Sequence, residues 1–262
     1  MSLQLKDKHV LITGASRGIG FAIARDLAAL GPRLSLLARE KAKLELAVTE
    51  LSKTAKGIKG YSCDVTKQAQ IADAFSASIK EQGAVDILIN NAGGVKSAPL
   101  QKLGLVDWQA SLDLNLNSAF LCIKEVLSAM IERGSGMIIN IASTAALQGY
   151  PYVTSYCAAK HALLGLTRSM AAELHDKNIK VAAVCPGYTE TEFLLESIRA
   201  TAQKTKRSEA EIRAEYLKGT PNGKFTQPEE VSKVVVELCL QNAIQADRII
   251  SVIDGGKVNF SS

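Results

Sequence analysis

The sequence has few of the residues that build metal sites and disulfide scaffolds. Its five cysteines are separated by 59, 35, 28 and 54 residues, so the chain contains no CxxC pair, and its three histidines stand apart from one another. These spacings predict no metal site. An odd number of cysteines in apolar surroundings instead predicts buried free thiols in a reducing compartment.

A large excess of charge is also missing. The chain has 31 Lys and Arg residues against 26 Asp and Glu residues, and a formal net charge of +5 is too small to indicate a nucleic-acid partner. Residues 1–8 contain no apolar core, so they predict no signal peptide. The longest uncharged stretch, residues 134–159, contains three glycines and a proline, which makes it a poor membrane span. We therefore expect a cytoplasmic protein without a membrane partner.

What the chain has is a regular alternation of short apolar runs and longer stretches with helical spacing. Seven runs predict strands at residues 9–13, 34–38, 58–63, 85–89, 137–141, 181–185 and 249–253. Six stretches predict helices at residues 18–30, 40–51, 68–80, 106–132, 154–175 and 228–240. Such strands belong in a buried parallel sheet, so the pattern predicts an α/β, doubly wound fold with helices on both faces. Because no repeat or linker divides the chain, residues 1–262 are expected to form one domain.

A glycine-rich turn with the sequence Thr-Gly-Ala-Ser-Arg-Gly-Ile-Gly, residues 13–20, joins the first predicted strand to the first predicted helix. Glycine lets the backbone approach a pyrophosphate closely, and the N-terminus of the helix offers unpaired N–H groups to the phosphates. The turn therefore predicts a dinucleotide site formed by Gly14, Ser16, Arg17, Gly18, Ile19 and Gly20. The alternative is a turn that serves packing only, because the spacing differs from the commonest G-x-G-x-x-G fingerprint.

The end of the second predicted strand indicates which dinucleotide would bind. In NAD enzymes an acidic residue at this point binds the ribose hydroxyls, but here the strand ends at Ala38 and is followed by Arg39. A guanidinium can hold a phosphate with two hydrogen bonds, and Arg17 offers a second positive contact. Both residues favour NADP(H), with NAD(H) as the less favoured cofactor. Pairing of Arg39 with Glu40, or stacking on adenine, is the alternative.

Three residues suggest proton-transfer chemistry. Ser143 follows the predicted strand 137–141, whereas Tyr156 and Lys160 lie four residues apart on one face of the predicted helix 154–175. A lysine ammonium near a phenol is expected to lower the pKa of the tyrosine, which could then exchange a proton with a carbonyl or alcohol oxygen. A serine hydroxyl facing the same oxygen would orient the substrate.

Further motifs follow in a fixed order along nearly the whole chain: Asp64-Val65, Asn90-Asn91-Ala92-Gly93, Asn115, Pro186-Gly187 with Thr191, and Asp254-Gly255-Gly256. With these motifs the chain resembles the short-chain dehydrogenase/reductase family. The residues around Ser143 and around Pro186 are similar to those of its 3-oxoacyl and polyketide ketoreductases. The resemblance implies a Rossmann sheet of seven parallel strands in the order 3-2-1-4-5-6-7.

The resemblance also implies a role for each matched catalytic residue. Tyr156 would be the acid/base, and Lys160 would lower its pKa and hold the nicotinamide ribose. Ser143 would bind the substrate oxygen, and Asn115 would hold a water of a proton relay. A helix position of Asn115 without any chemistry is the alternative reading.

The matched cofactor-binding residues are implied to contact different parts of the dinucleotide. Tyr156 and Lys160 would reach the nicotinamide side, and the remaining contacts would come from Asp64, Val65, Asn91, Ala92, Gly93, Pro186, Gly187, Thr189 and Thr191. For Asp64 a helix-capping role is an alternative.

Residues 189–225 break the alternating order and are expected to form a substrate lid. The candidate substrate residues are Gln148, Tyr150, Tyr188 and Phe193. Between Arg199 and Lys218 the lid has six basic residues against three glutamates. This surplus suggests contact with the phosphates of a carrier-linked substrate, although a solvated helix face is the alternative. The spacing of Ser208 and Glu211 predicts the start of a helix.

Together these observations predict an NADPH-dependent reductase of a ketone or 3-oxoacyl thioester. An NAD-dependent alcohol or 3-hydroxyacyl-CoA dehydrogenase is the first alternative, and a dinucleotide-binding regulator without turnover is the second. The two long helices, residues 106–132 and 154–175, are apolar on more than one face. Because family members usually pair these helices, the resemblance implies a homotetramer or homodimer.

Overall fold

A computed structural model describes residues 5–241, 250–255 and 257–261. Its sheet has the strand order β3-β2-β1-β4-β5-β6-β7-β8, and neighbouring strands from β3 to β7 are parallel. The strands are β1 His9–Thr13, β2 Arg33–Ala38, β3 Ile58–Ser62, β4 Ile87–Asn90, β5 Gly136–Ile141, β6 Ile179–Pro186, β7 Ile250–Asp254 and β8 Lys257–Ser261.

The predicted strand order is confirmed, but the prediction of seven strands omitted one. β8 pairs antiparallel with β7 at the edge of the sheet. Its run after the Asp254-Gly255 turn contains Lys257, Asn259 and Ser261 and was too polar to be recognised as a strand. Ile249 and Gly256, which belonged to a predicted strand and a motif, lie outside the described residues.

The helices fill the connections between the strands. They are α1 Gly18–Ala28, α2 Lys41–Ser52, α3 Gln68–Gln82, α4 Leu105–Leu112, α5 Ser118–Arg133, α6 Thr154–Leu174, α7 Glu192–Thr205, α8 Glu209–Lys218 and α9 Pro228–Leu240. Alternating side chains of the strands divide the core between the two faces of the sheet. Val10 and Ile12 of β1 pack with α1, α2 and α9, whereas Leu11 between them packs with α3, α5 and α6. Helices therefore cover both faces, as predicted.

The predicted helix 106–132 is one continuous helix with an irregular turn in the middle. A π-helical turn, Asp113–Asn117, joins α4 to α5. Such turns insert an extra residue into the hydrogen-bond ladder and occur frequently at functional sites. The joined helix, Leu105–Arg133, is long and apolar enough by length and composition to cross a membrane, a test that core helices of globular proteins also pass.

The segment after β6 contains two helices around a small core of its own. The sequence predicted only the second helix start, and Ser208 and Glu211 do form a capping box at the start of α8. Leu194, Ile198 and Ala202 of α7 pack on Ile212 of α8 and on Phe225. Residues 192–218, within the segment expected to form a lid, are therefore two packed helices rather than an irregular loop.

A buried polar network fixes the opposite end of β1 from the glycine turn. The fully buried His9 ring bonds through Nδ1 to the Gly83 carbonyl (2.7 Å) and through Nε2 to the Ser35 hydroxyl (2.8 Å). The Ser78 hydroxyl also donates to Ser35, and the Gln82 amide donates to Ser35 as well. The network therefore connects β1, β2 and α3.

This network predicts a loss of stability in acid. Burial lowers the pKa of His9 from its ordinary value of 6.5, although the hydrogen bond to Gly83 opposes the shift. As the pH falls below 6.5, the histidine of the unfolded chain becomes protonated, whereas the buried His9 of the folded chain stays neutral until a lower pH. The free energy of unfolding therefore decreases as the pH falls from 6.5 through the folded pKa. At neutral pH, His9→Phe should lower the free energy of unfolding by about 1–3 kcal/mol, because the hydroxyls lose their acceptor.

Urea unfolding of wild type and His9→Phe across the acid range measures both effects. The variant should show a flatter dependence of stability on pH than the wild type. His175→Gln changes an exposed histidine and should behave as the wild type. An identical pH dependence in the wild type and His9→Phe would contradict the assignment.

Candidate active site

The parallel strands bring their carboxyl ends to one edge of the sheet, where ligands bind in open α/β folds. The predicted residues at this edge follow β1, β2, β3, β4, β5 and β6, and α6 adds Tyr156 and Lys160. The parallel pairing of β1 with β4 and of β5 with β6 therefore brings together segments that are distant in the chain.

The glycine turn is held against the end of β4. The Asn91 side-chain amide donates to the carbonyls of Thr13 (2.9 Å) and Gly14 (3.0 Å). A Cβ atom on Gly14 would lie 2.9 Å from Ala92 Cα, and Gly14 has a φ of +66°, so only glycine fits this contact. Asn91 thus fixes the path of the turn.

The geometry of the turn fits the phosphates of a dinucleotide. No side chain caps the N-terminus of α1, and its first turn contains no acidic residue. The first N–H groups of the helix are therefore available to an anion at the positive end of the helix dipole. Ser16, Gly18 and Ile19 are half-buried around this end, whereas Gly20 is buried beneath it.

The two arginines predicted to select the cofactor have different surroundings. Arg39 is exposed after β2, and its predicted alternative partner Glu40 pairs with Lys43 instead. Arg17 donates from Nη1 to Glu192 (2.7 Å) and to Glu196 (3.4 Å) of α7. Neither glutamate was identified from the sequence, because nothing in the order of the motifs places α7 beside the glycine turn.

The residues predicted to flank the adenine lie after β3. Val65 is buried in the core beneath the edge. The Asp64 carboxylate accepts hydrogen bonds from the Thr66 N–H (3.0 Å) and hydroxyl (2.8 Å). Asp64 therefore stabilises the turn before α3, whose N-cap is Lys67. The alternative that Asp64 caps this helix is wrong.

Ser143 and Tyr156 meet as predicted from their spacing. The Ser143 hydroxyl accepts a hydrogen bond from the Ala145 N–H (3.1 Å), which orients it at the end of β5. The hydroxyls of Ser143 and Tyr156 lie close enough for Ser143 to act on the pKa of Tyr156, which it lowers. The tyrosine is half-buried on the first turn of α6.

Lys160 lies beside Tyr156 but does not have the predicted effect on it. Its ammonium donates to the Ile141 carbonyl (2.8 Å) and lies 5.7 Å from the centre of the Tyr156 ring, and the residue is 3% exposed. Burial raises the pKa of Tyr156 to about 12, although the hydrogen bond with Ser143 opposes this. Burial lowers the pKa of Lys160 to about 8.

The pKa of Tyr156 thus lies above its ordinary value, so the net lowering that was expected beside Lys160 is absent. The ammonium faces the ring and the strand carbonyl, and desolvation of the phenol outweighs its influence. At neutral pH the tyrosine consequently holds its proton and the lysine is charged.

Asn115 occupies the π turn and is 2% exposed. Its Oδ1 accepts from the Gly94 N–H (3.0 Å), and its amide donates to the carbonyls of Gly94 (2.9 Å) and Ser111 (3.0 Å). A Cβ atom on Gly93 would lie 2.9 Å from this Oδ1 and 3.5 Å from Lys160 Nζ. The absence of a side chain at Gly93 thus leaves open space beside both polar groups.

The loop after β6 completes the edge between the glycine turn and the lid. A Cβ atom on Gly187 would collide with the Asp254 carboxyl, so this position also requires glycine. The Thr189 hydroxyl donates to the Gly187 carbonyl (3.1 Å), and the Thr191 hydroxyl caps α7 by accepting from Leu194 N. Pro186 is buried at the end of β6.

Three of the four predicted substrate residues are close to one another. The Tyr150 hydroxyl bonds to Thr144 Oγ1 (2.9 Å) and accepts from the Gln148 amide (2.7 Å). The rings of Tyr150 and Tyr188 meet edge to face, with centroids 5.8 Å apart. Phe193 lies on α7, exposed and outside this cluster of ring contacts.

Sequence reasoning missed the contacts that fasten the lid. Arg213 of α8 forms an ion pair with Glu190 and lies 4.7 Å from the centre of the Phe225 ring. The Gln227 amide donates to the other oxygen of Glu190 (2.9 Å). We call Arg213, Glu190 and Gln227 the lid clamp. A run of mixed charges in the sequence contains no signal for these long-range pairs.

Known proteins resemble the chain over most of its length. The profile of the short chain dehydrogenase family matches residues 8–202. A protein named as ketoacyl reductase 1 of the granaticin polyketide synthase of Streptomyces violaceoruber is 38% identical over 252 residues, which cover 95% of this chain and 93% of that protein.

Two further relatives show the same pattern. A 3-oxoacyl-[acyl-carrier-protein] reductase of Chlamydia muridarum is 30% identical, and the match covers 98% of this chain and 99% of that protein. A crystal structure of a variant actinorhodin polyketide ketoreductase with NADPH has a TM-score of 0.85 and 34% identity, covering 91% of this chain and 92% of that one.

The lid clamp predicts that Arg213 restrains α8. Arg213→Ala should increase hydrogen exchange in α8 by about tenfold, because an ion pair and a ring contact are lost together. Exchange in β1 and β5 should stay unchanged. Arg199→Ala, which removes an exposed arginine of α7, is the matched control. Equal exchange of α8 in both variants would show that the clamp does not restrain the lid.

Proposed function

The chain belongs to the short chain dehydrogenase family and is an oxidoreductase that acts on CH–OH or carbonyl groups with NAD(P), and on this basis we propose that it reduces a ketone or 3-oxoacyl thioester with NADPH. The relatives named as ketoacyl and 3-oxoacyl-[acyl-carrier-protein] reductases, and the similar ketoreductase structure with NADPH, support the reductive direction. In this direction Tyr156, whose pKa is raised by burial, would act as the acid, whereas oxidation of an alcohol would need a base at the same position.

The proposed mechanism assigns one task to each of the four residues. Tyr156 donates its proton to the carbonyl oxygen of the substrate, while the Ser143 hydroxyl hydrogen-bonds the same oxygen. The Lys160 ammonium stabilises the phenolate that Tyr156 becomes, because opposite charges attract strongly in a desolvated site. Asn115 fixes Gly94 and, through a second lone pair of its Oδ1, holds the water that returns a proton. When bound, a reduced nicotinamide supplies the hydride for the carbonyl carbon.

The proposed cofactor site uses the whole edge of the sheet. The glycine turn binds the phosphates, and Arg39 and Arg17 bind the additional phosphate of NADP(H). Asp64 and Val65 flank the adenine, and Asn91, Ala92 and Gly93 line its ribose. Tyr156, Lys160 and the loop with Pro186, Gly187, Thr189 and Thr191 enclose the nicotinamide end.

The proposed substrate lies between Tyr156 and the lid. Gln148, Tyr150, Tyr188 and Phe193 form its walls in this proposal. The relatives named as ketoacyl and 3-oxoacyl-[acyl-carrier-protein] reductases support a carrier-linked 3-oxoacyl substrate. Of the six basic residues of the lid, Arg207 pairs with Glu215 and Arg213 with Glu190. The other four, Arg199, Lys204, Lys206 and Lys218, are exposed and are proposed to meet the carrier phosphates.

We further propose that the chain forms a homotetramer or homodimer in the cytoplasm. α4 exposes Leu105 and Val106 with 79% and 82% of their surface accessible, and Phe120 of α5 is exposed on the same joined helix. Burying such side chains against a second copy would remove apolar surface from water. All five cysteines are buried and free, which agrees with a reducing compartment.

The central test of the mechanism is Tyr156→Phe. This variant keeps the ring but loses the proton, so NADPH-dependent reduction of a β-keto thioester should fall by about 100-fold to 10,000-fold. The Kd of NADPH, measured by fluorescence titration, should stay close to the wild-type value. Tyr152→Phe removes the hydroxyl of a nearby exposed tyrosine and should keep full activity. Retained turnover in Tyr156→Phe would refute the assigned acid.

The carrier proposal is tested with two substrates that share the same reacting thioester. Acetoacetyl-coenzyme A carries phosphates, whereas acetoacetyl-N-acetylcysteamine does not. We expect kcat/KM to be at least about tenfold higher for the coenzyme A thioester, and the difference to shrink at high salt. Equal kcat/KM values would indicate that the lid charges are only a solvated surface.

A further inference from the structure

Two carboxylates of α7 accept hydrogen bonds from Arg17, an arginine of the proposed cofactor site. Arg17 is the N-cap residue of α1, at the mouth of the glycine turn, and its guanidinium bonds to Glu192 and Glu196. These bonds raise the pKa of Arg17, and the bond from Arg17 lowers the pKa of Glu192. Neither glutamate belongs to the catalytic or cofactor-binding residues described above.

The pairing spans the gap between the glycine turn and α7. On the same side, a Cβ atom on Gly18 would lie 3.3 Å from the Thr191 methyl group. Thr191 is the N-cap of α7, and Glu192 begins the helix. The first turns of α1 and α7 therefore face each other, with Arg17 as the charged connection between them.

A phosphate group that approaches this gap meets two opposing influences. Arg17 attracts it, whereas Glu192 and Glu196 repel it and already bind Nη1 of the guanidinium. All three side chains are at least one-third exposed, so the ion pair contributes little stability and can be exchanged. A doubly charged phosphate with three acceptor oxygens is a stronger partner than one carboxylate.

We propose that Glu192 and Glu196 compete with the additional phosphate of NADP(H) for Arg17, and so determine how strongly the chain prefers the phosphorylated cofactor. This inference rests on the proposed function, because it requires that NADPH binds at the glycine turn. With NADPH, Arg17 leaves the glutamates and α7 loses its connection to α1. With NADH, which lacks that phosphate, Arg17 stays on α7.

The two glutamates therefore act as specificity-determining residues that weaken NADPH binding. The variant Glu192→Gln/Glu196→Gln should lower the Kd of NADPH by about three- to tenfold, the range expected when exposed ion pairs are removed. The Kd of NADH should change by less than about twofold. Both constants come from fluorescence titration or calorimetry of the purified chain without substrate, so no turnover is needed.

Two controls separate the competition from a general change of charge. Glu209→Gln removes a negative charge at the start of α8, away from Arg17, and should leave both constants unchanged. In an Arg17→Met background the two glutamine substitutions should no longer improve NADPH binding, because the guanidinium for which the glutamates and the phosphate compete is absent.

The possible outcomes distinguish this inference from the proposed function. If the wild type binds neither NADPH nor NADH, the proposed function itself fails. If the wild type binds NADPH but the double variant binds it no better, the function stands and the competition is refuted. Equal tightening of NADPH and NADH also refutes it, because the glutamates would then act on the phosphates common to both cofactors.

Discussion

The site depends above all on the hydrogen bonds from the Asn91 side chain to the Thr13 and Gly14 carbonyls. β1 lies between β2 and β4, so the order of the strands reverses at this point and a crevice opens. The Asn91 amide joins the two sides of that crevice, together with the Thr13 hydroxyl, which accepts from the Asn91 and Ala92 N–H groups. Because Gly14 approaches Ala92 too closely for any side chain, the turn can take only the path that Asn91 fixes.

The uncharged stretch, residues 134–159, determines the surroundings of Tyr156 and Lys160 in the folded chain. This stretch forms β5, the Ser143 loop and the first turn of α6, and it surrounds Tyr156 and Lys160 with apolar and hydroxyl groups. Desolvation consequently dominates both side chains, and it moves the two pKa values toward the neutral forms. The uncharged stretch thus favours a tyrosine with a raised pKa rather than the lowered pKa that the sequence suggested.

The regular parts of the structure could be predicted because they depend on local patterns. Seven strands and their order, the glycine turn and the meeting of Ser143 with Tyr156 follow from periodicity, spacing and family resemblance. The lid contacts could not be predicted, because the pairing of Arg213 with Glu190 and of Arg17 with Glu192 joins residues that only the tertiary fold brings together. The pKa of Tyr156 was predicted in the wrong direction because spacing shows that a lysine is near but not which part of the ring it faces.

The π turn at Asn115 has a consequence for the shape of the whole molecule. One extra residue in the ladder rotates everything after it by about 100° around the helix axis. α5 therefore turns its apolar stripe toward the sheet and buries six residues, whereas α4 buries none and presents Leu105 and Val106 outward. The joined helix therefore presents one apolar surface to solvent from α4 and another to the core from α5. Asn115, which binds Gly94 at the site, lies at the turn between the two.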